Sequence, residues 1–207
     1  MHRLAVASLF VALAGCSSLL SAALKPDVQA SAAAVEAGDW VLDPDHAALT
    51  FRINHMGYSD LVGRFDRFDV SLIGDGTHPE DARVSAVIEV GSLDIGNDKF
   101  RDDLLGARWF DAEDHPQAVF RTLSVTSTSE TTATVNGELT LRGVTRPVAL
   151  EVRLNGVAYD RLRGTDVAGF SASALIHRSD FGMDAFSGLV TDDVRIGIEA
   201  ELMRKKD

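Results

Sequence analysis

The chain reads as an all-β domain, a sandwich or a barrel. Three observations carry this: apolar and polar residues alternate in run after run, Gly and Asp clusters separate the runs, and one stretch breaks the alternation with helical spacing. The clearest alternation spans residues 135–154. Val135, Gly137, Leu139 and Leu141 share one parity, Glu138, Thr140 and Arg142 take the other, and Val148, Leu150, Val152 and Leu154 resume the apolar row. Period two puts one row of side chains on each face, so this is an antiparallel hairpin with one apolar and one wet face. Its connection is expected over 143–147. Gly143 permits the turn, and Pro147, lacking an N–H, suits the first position of the second strand.

The remaining strands follow the same rule. Leu49, Phe51 and Ile53 alternate with Thr50, Arg52 and Asn54; Phe68, Val70 and Leu72 alternate with Arg67, Asp69 and Ser71 before the turn at Gly74-Asp75-Gly76. Val84, Ala86, Ile88 and Val90 form another row, and Val194, Ile196, Ile198, Ala200 and Leu202 close the series. Between them the pattern admits two parities: Val167, Gly169 and Ser171, or Phe170, Ala172, Ala174 and Ile176. Gly57 and Gly63 flank the entry to the second strand, where a bend or bulge is expected. The exception is 97–109. Phe100 and Leu104 lie four apart, Asn97 or Asp98 can cap the N-terminus, and early acidic residues favour the helix dipole. Gly106 weakens this helix by about 1 kcal/mol relative to Ala. Such a helix either lies across a barrel mouth or packs outside a sheet.

The N-terminus has the layout of a secretory signal. Arg3 precedes an apolar stretch over 4–13, followed by Leu13-Ala14-Gly15-Cys16. That stretch is shorter than the ~20 residues a bilayer span needs. A small-residue run ending in cysteine resembles the lipobox of bacterial lipoproteins, which places cleavage before Cys16 and acyl chains upon it; the alternative is ordinary cleavage near Ala22-Ala23. The expected division is a signal peptide over 1–15, a lipidated tether rich in Ala and Ser over 16–38, and a folded domain over 39–207. With no other cysteine, the domain has no disulfide or thiolate chemistry. Its length suits one domain. A net charge of −11 argues against nucleic acid and anionic membrane surfaces as partners, so an acyl anchor rather than charge would hold the protein at a membrane.

Catalytic signatures are absent: no G-x-S-x-G elbow, H-E-x-x-H, Walker loop or dinucleotide fingerprint. His46 and His55 bracket the first strand at an odd spacing, and His78 and His115 each lie beside a proline, so no metal is expected. His46 and His55 are expected to hydrogen-bond strand ends or a barrel rim. The carboxylate pairs Asp43/Asp45, Glu80/Asp81, Asp102/Asp103 and Asp192/Asp193 read as solvated charge. Arg101, Arg108 and Arg178 fit two readings: forks for a phosphate or polar lipid head, or structural partners of Asp102, Asp103 or Asp180. Aromatic residues stand among small ones (Ala86, Gly137, Ala172, Ala174, Gly197, Ala200), which leaves either a dry lumen for an apolar ligand or a filled core.

Four phrases in order resemble the YceI-like family, the lipocalin-type polyisoprenoid-binding proteins of bacterial periplasms. They are Asp43-Pro44-Asp45-His46 with Phe51, His55-Met56-Gly57 and Gly63-Arg64-Phe65; Arg101-Asp102-Asp103-Leu104-Leu105 through Phe110-Asp111 and 116–120; Gly137 through Thr145; and Arg178-Ser179-Asp180-Phe181-Gly182. Trp109 stands where the family often has Phe, and Asp103 where it often has a less charged residue. The resemblance implies an extended eight-stranded antiparallel lipocalin-like barrel with one short helix inserted between strands. It implies a non-enzymatic protein without cofactor that binds, carries or stores a polyprenyl lipid or isoprenoid quinone, with the helix as a lid. The wall would comprise Phe51, Ile53, Phe68, Phe100, Leu104, Trp109, Phe120, Leu139, Leu150 and Phe170, with Arg101, Arg108 and Arg178 as head-group contacts. Relatives often dimerise, so a homodimer is possible. Ser17 after Cys16 favours the outer membrane of a Gram-negative bacterium and a periplasmic body. Two other readings stand beside this one. The first is a structural or chaperone-like envelope lipoprotein with a filled barrel. The second is an enzyme on prenyl head groups using His46, His55 or Arg178.

Overall fold

Antiparallel alternation closes into a barrel. The computed structural model describes residues 24–206, so Cys16 and the signal lie outside the described residues. The strands are β1 (Gly38–His55), β2 (Ser59–Phe65), β3 (Phe68–Gly74), β4 (Arg83–Glu89) and β5 (Leu93–Asp94), then β6 (Gln117–Ser127), β7 (Thr132–Leu141), β8 (Val144–Asp160), β9 (Thr165–His177) and β10 (Val190–Arg204). A helix, α1 (Asp98–Leu105), stands between β5 and β6. β1 pairs with β10 from Trp40 opposite Arg204 to His55 opposite Val190, which seals the sheet. Its other edge pairs with β3 at the start and β2 at the end. β2 and β3 are therefore halves of one stave broken at Asp66 and Arg67, and β4 and β5 repeat the break beside them. The result is a closed barrel of eight antiparallel staves.

The inward parity is the predicted one on β3, β4, β7, β8 and β10. On β9 the Phe170, Ala172, Ala174 and Ile176 row faces inward. Two local readings need correction. The β7–β8 connection is a two-residue turn, with Arg142 at φ 52° and Gly143 at φ 71°, not a loop over 143–147. Left-handed backbone at both positions matches the twist of flanking strands. Pro147 lies inside β8 opposite Glu138. Counting from the turn, that pair is a non-hydrogen-bonded one, so the proline nitrogen faces the other edge. There the β8–β9 ladder begins only at Glu151, so no bond is lost. The helix stops at Leu105 rather than Trp109, because Gly106 adopts extended backbone (φ −71°, ψ 170°). Asn97 caps it, accepting from the Phe100 amide at 3.0 Å.

Apolar clusters pack at the two ends. Under α1, Phe181, Val90, Leu93 and Leu104 are buried with Phe51 and Ile53. At the far end Trp40, fully buried, packs with Val35, Leu42, Leu154 and Leu202. Val35 belongs to a strap joined to the barrel well before β1. Gln29 exchanges two backbone bonds with Val157, at 3.0 and 2.9 Å, and Gly76 donates to the Val35 carbonyl at 3.0 Å. The chain expected as a tether up to residue 38 is thus attached from Gln29 onward.

Candidate functional site

Between these clusters the barrel encloses a cavity of about 920 Å³. It lies at the upper end of the ~300–1,000 Å³ usual for ligand pockets. The staves supply its wall through alternate residues, so nearly all of it is aliphatic or aromatic. The ten wall residues expected from sequence line this one cavity. Phe51, Ile53, Phe68, Phe120, Leu139, Leu150 and Phe170 come from the strands, Phe100 and Leu104 from α1, and Trp109 from the segment after it. Ala86, Ala172, Ala174 and Ala200 also face it, and their small side chains leave the volume.

The two mouths differ. At the α1 end, Phe51, Phe65 and Phe110 pack ring on ring, with centroids 5.6–6.4 Å apart. Trp109 stacks on Phe186 at 6.2 Å. The polar lining at that end includes His55, Ser59, Asp60, Asp103, Arg108 and Arg178, whereas at the strap end it includes Asp75, Ser127, Ser129 and Glu130, with no cluster of packed aromatic rings among the described residues.

The three arginines separate by role. Arg101 sits on the outer side of α1, bonded to Asp98 and Asp102 at 2.9 Å, and does not line the cavity. The structural pairing with Asp102 therefore describes it, and its expected place at a ligand head group is corrected. Arg178 reaches the cavity but is buried and held by main-chain carbonyls. It donates to Thr191 at 2.9 Å, Ala185 at 2.9 Å, Val190 at 3.1 Å and also Met183. Its guanidinium carbon lies 5.4 Å from the Trp109 ring centroid. It fixes the 183–191 loop rather than pairing with Asp180. Arg108 lines the mouth and rests 5.7 Å from the Phe186 ring centroid. Among the described residues no carboxylate lies within ion-pairing reach of it, so its donors are available to a ligand.

His46 lies outside the cavity. Asp43, His46 and Glu201 bring ligand atoms within 4.8 Å of one another. The Arg163 guanidinium already occupies that space, with Nη2 2.8 Å from Asp43 Oδ2, 2.8 Å from His46 Nδ1 and 3.1 Å from Glu201 Oε2. A side-chain cation thus stands where a metal ion would. Burial pushes the Asp43 carboxyl up, but the His46 ring, the Asp45 amide and Arg163 outweigh it and hold it below its ordinary value. Sequence reasoning missed Arg163 and the strap residue Val35, and it left Phe65 and Phe110 out of the wall although it quoted both, because each acquires its role only through partners distant in the chain.

A closed antiparallel barrel with an apolar lumen and a helix at one mouth defines a lipocalin-like fold. The chain belongs to the YceI-like family, whose domain model matches residues 40–202. A UPF0312 protein of Pseudomonas putida (strain W619) is 33% identical over 199 residues, covering 95% of this chain and 97% of the relative. The fold is shared with BcnA of Burkholderia cenocepacia at a TM-score of 0.71 and 22% identity, covering 77% of this chain and 98% of the other. It is shared too with a polyisoprenoid-binding domain of Saccharophagus degradans, at a TM-score of 0.62 and 17% identity, covering 80% and 98%.

Proposed function

We propose that this protein binds an amphiphilic polyisoprenoid lipid or isoprenoid quinone in its lumen and carries or stores it in the periplasm. The observation that carries the reading is the apolar cavity of about 920 Å³ running between the two end clusters. A barrel packed solid by its own side chains would not have it. Affinity comes from desolvation: each buried methylene contributes about 0.8 kcal/mol, and an isoprenoid chain needs no polar code to be held. Arg108 at the α1 mouth meets the head group. The likeness to a polyisoprenoid-binding domain of Saccharophagus degradans supports the ligand class. We read the protein as acting by binding rather than catalysis: His46 lies outside the lumen, the donors of Arg178 are engaged with main chain, and His55, which lines the α1 mouth, has no ion pair among the described residues. In this proposal Cys16 carries the acyl anchor, and the chain from Cys16 to the strap tethers the barrel to the outer membrane.

Native mass spectrometry with solvent extraction, on full-length protein purified gently from its own envelope, tests the reading. A bound mass matching a prenyl lipid is expected. An empty protein that also fails to take up added prenyl lipid overturns it. Leu139→Asp or Leu150→Asp, each placing a carboxylate on the wall, should abolish uptake; undiminished binding would mean that the ligand sits elsewhere.

A further inference from the structure

Gly63 on β2 and Gly137 on β7 occupy inward positions, yet neither reaches the cavity surface, because a phenylalanine ring covers each. A Cβ built on Gly63 would fall 2.3 Å from Cζ and 2.5 Å from Cε1 of Phe51, and 2.9 Å from Cγ2 of Ile95. A Cβ on Gly137 would fall 2.3 Å from Cζ of Phe120 and 2.5 Å from the main-chain oxygen of Arg121. Neither glycine has positive φ, so space rather than backbone conformation requires it. Phe51 stands directly opposite Gly63 across the β1–β2 ladder, and its ring folds down over the glycine instead of projecting inward. Phe120, which pairs with Leu139, lays its ring diagonally over Gly137 across the β6–β7 seam. Both phenylalanines lie close to the α1 ends of their strands, on separate arcs of the wall.

We infer that Gly63 and Gly137, by seating the two rings against the wall, set the bore of the lumen at this level, its neck, and thereby the length of prenyl chain the barrel accepts. The inference rests on the prenyl-lipid reading above. A methyl group at position 63 forces the Phe51 ring off the wall. Phe65 and Phe110 pack against that ring at 5.9 and 6.4 Å, which leaves the lumen as the direction of escape. A short chain lies wholly between the neck and the strap and is indifferent to the ring. A long chain must run through the neck to the mouth and meets it. Position 63 is the better test site, since a side chain at 137 would also strain the sheet against the Arg121 carbonyl.

The experiment titrates lipid-stripped full-length protein with farnesol, geranylgeraniol and solanesol, following tryptophan fluorescence. Gly63→Ala is expected to weaken solanesol by about tenfold or more and farnesol by less than about threefold. Gly63→Ala/Phe51→Leu removes the displaced ring and is expected to restore solanesol. Equal solanesol affinity in Gly63→Ala and wild type, or a loss that Phe51→Leu does not rescue, overturns the inference while leaving the lipid reading intact. Wild type that binds none of the three alcohols overturns both. Should Gly63→Ala not fold, Phe51→Trp, which enlarges the ring on the unaltered seat, must show the same dependence on chain length; a uniform profile there overturns the inference.

Discussion

Arg178 shows how a buried charge can be spent on architecture. Only 3% exposed, it has no carboxylate within ion-pairing distance among the described residues and instead gathers four carbonyls from the 183–191 loop, while its planar face meets Trp109. The guanidinium fork presents five divergent donors on a rigid plane, which an ammonium cannot copy. Arg178→Lys should therefore cost about 1–3 kcal/mol despite keeping the charge, because the unmatched carbonyls stay buried. Urea denaturation measures the loss, and a shift in Trp109 emission should accompany it. A variant as stable as wild type would mean that water satisfies the loop. Parity made it legible which strand residues share a face, while the choice of the inward face and of Phe100, Leu104 and Trp109 as wall residues came from the family resemblance. The role of Arg178 was not legible, since its acceptors are main-chain atoms of the loop before β10 and of the first two residues of that strand, which no side-chain pattern marks.

Among the elements, the strands were legible and the helix only partly so. Alternation identifies strands locally, whereas the end of α1 depends on Gly106 leaving helical backbone, after which Phe110 and Ala112 bond back to Leu104 and Leu105. Pro147 misled for a related reason, because its tolerance depends on where β9 starts to pair with β8. An eight-residue helix is too short to persist by itself in water, so α1 is held by Leu104 packing on the end cluster and by the Asn97 cap. Asn97→Ala should cost about 1 kcal/mol. Since the helix lies at the mouth and outside the barrel ladder, that cost should appear as local opening. Hydrogen exchange of the α1 amides should speed by about fivefold while the barrel strands keep their protection. Equal acceleration throughout would show that α1 and the barrel unfold as one unit.

At the scale of the whole molecule, closure was the part alternation could not show and only the family phrases implied: a sandwich and a barrel share the same alternation, and the β1–β10 ladder distinguishes them. That ladder changes register between Leu42 and Ala47, where Asp43 and His46 turn towards Arg163. Arg163, from the β8–β9 turn, binds Asp160 at 2.8 Å, Asp43 at 2.8 Å and Glu201 at 3.1 Å, so one guanidinium ties the turn to β1, β8 and β10 at the strap end. Asp160 is held below its ordinary pKa by the Arg163 amide against the pull of burial, with the Leu162 amide and the Arg163 guanidinium adding to it; Asp43 is lowered too. Carboxyls with depressed folded values bind protons less readily than in the unfolded chain. Their contribution is complete above the unfolded value, about pH 4, and is lost as pH falls through the folded values. Thermal stability should accordingly be flat from neutral pH down to about pH 5 and fall below about pH 4. Asp43→Asn should cost about 1–3 kcal/mol at neutral pH, because Arg163 and His46 lose a charged acceptor. It should also flatten the acid limb, since the group that titrates has been removed. Melting curves of both proteins across pH 2–8 decide the matter. An acid limb as steep in Asp43→Asn as in wild type would place the acid-sensitive carboxylates elsewhere on the barrel and reduce the Arg163 cluster to a neutral-pH clasp.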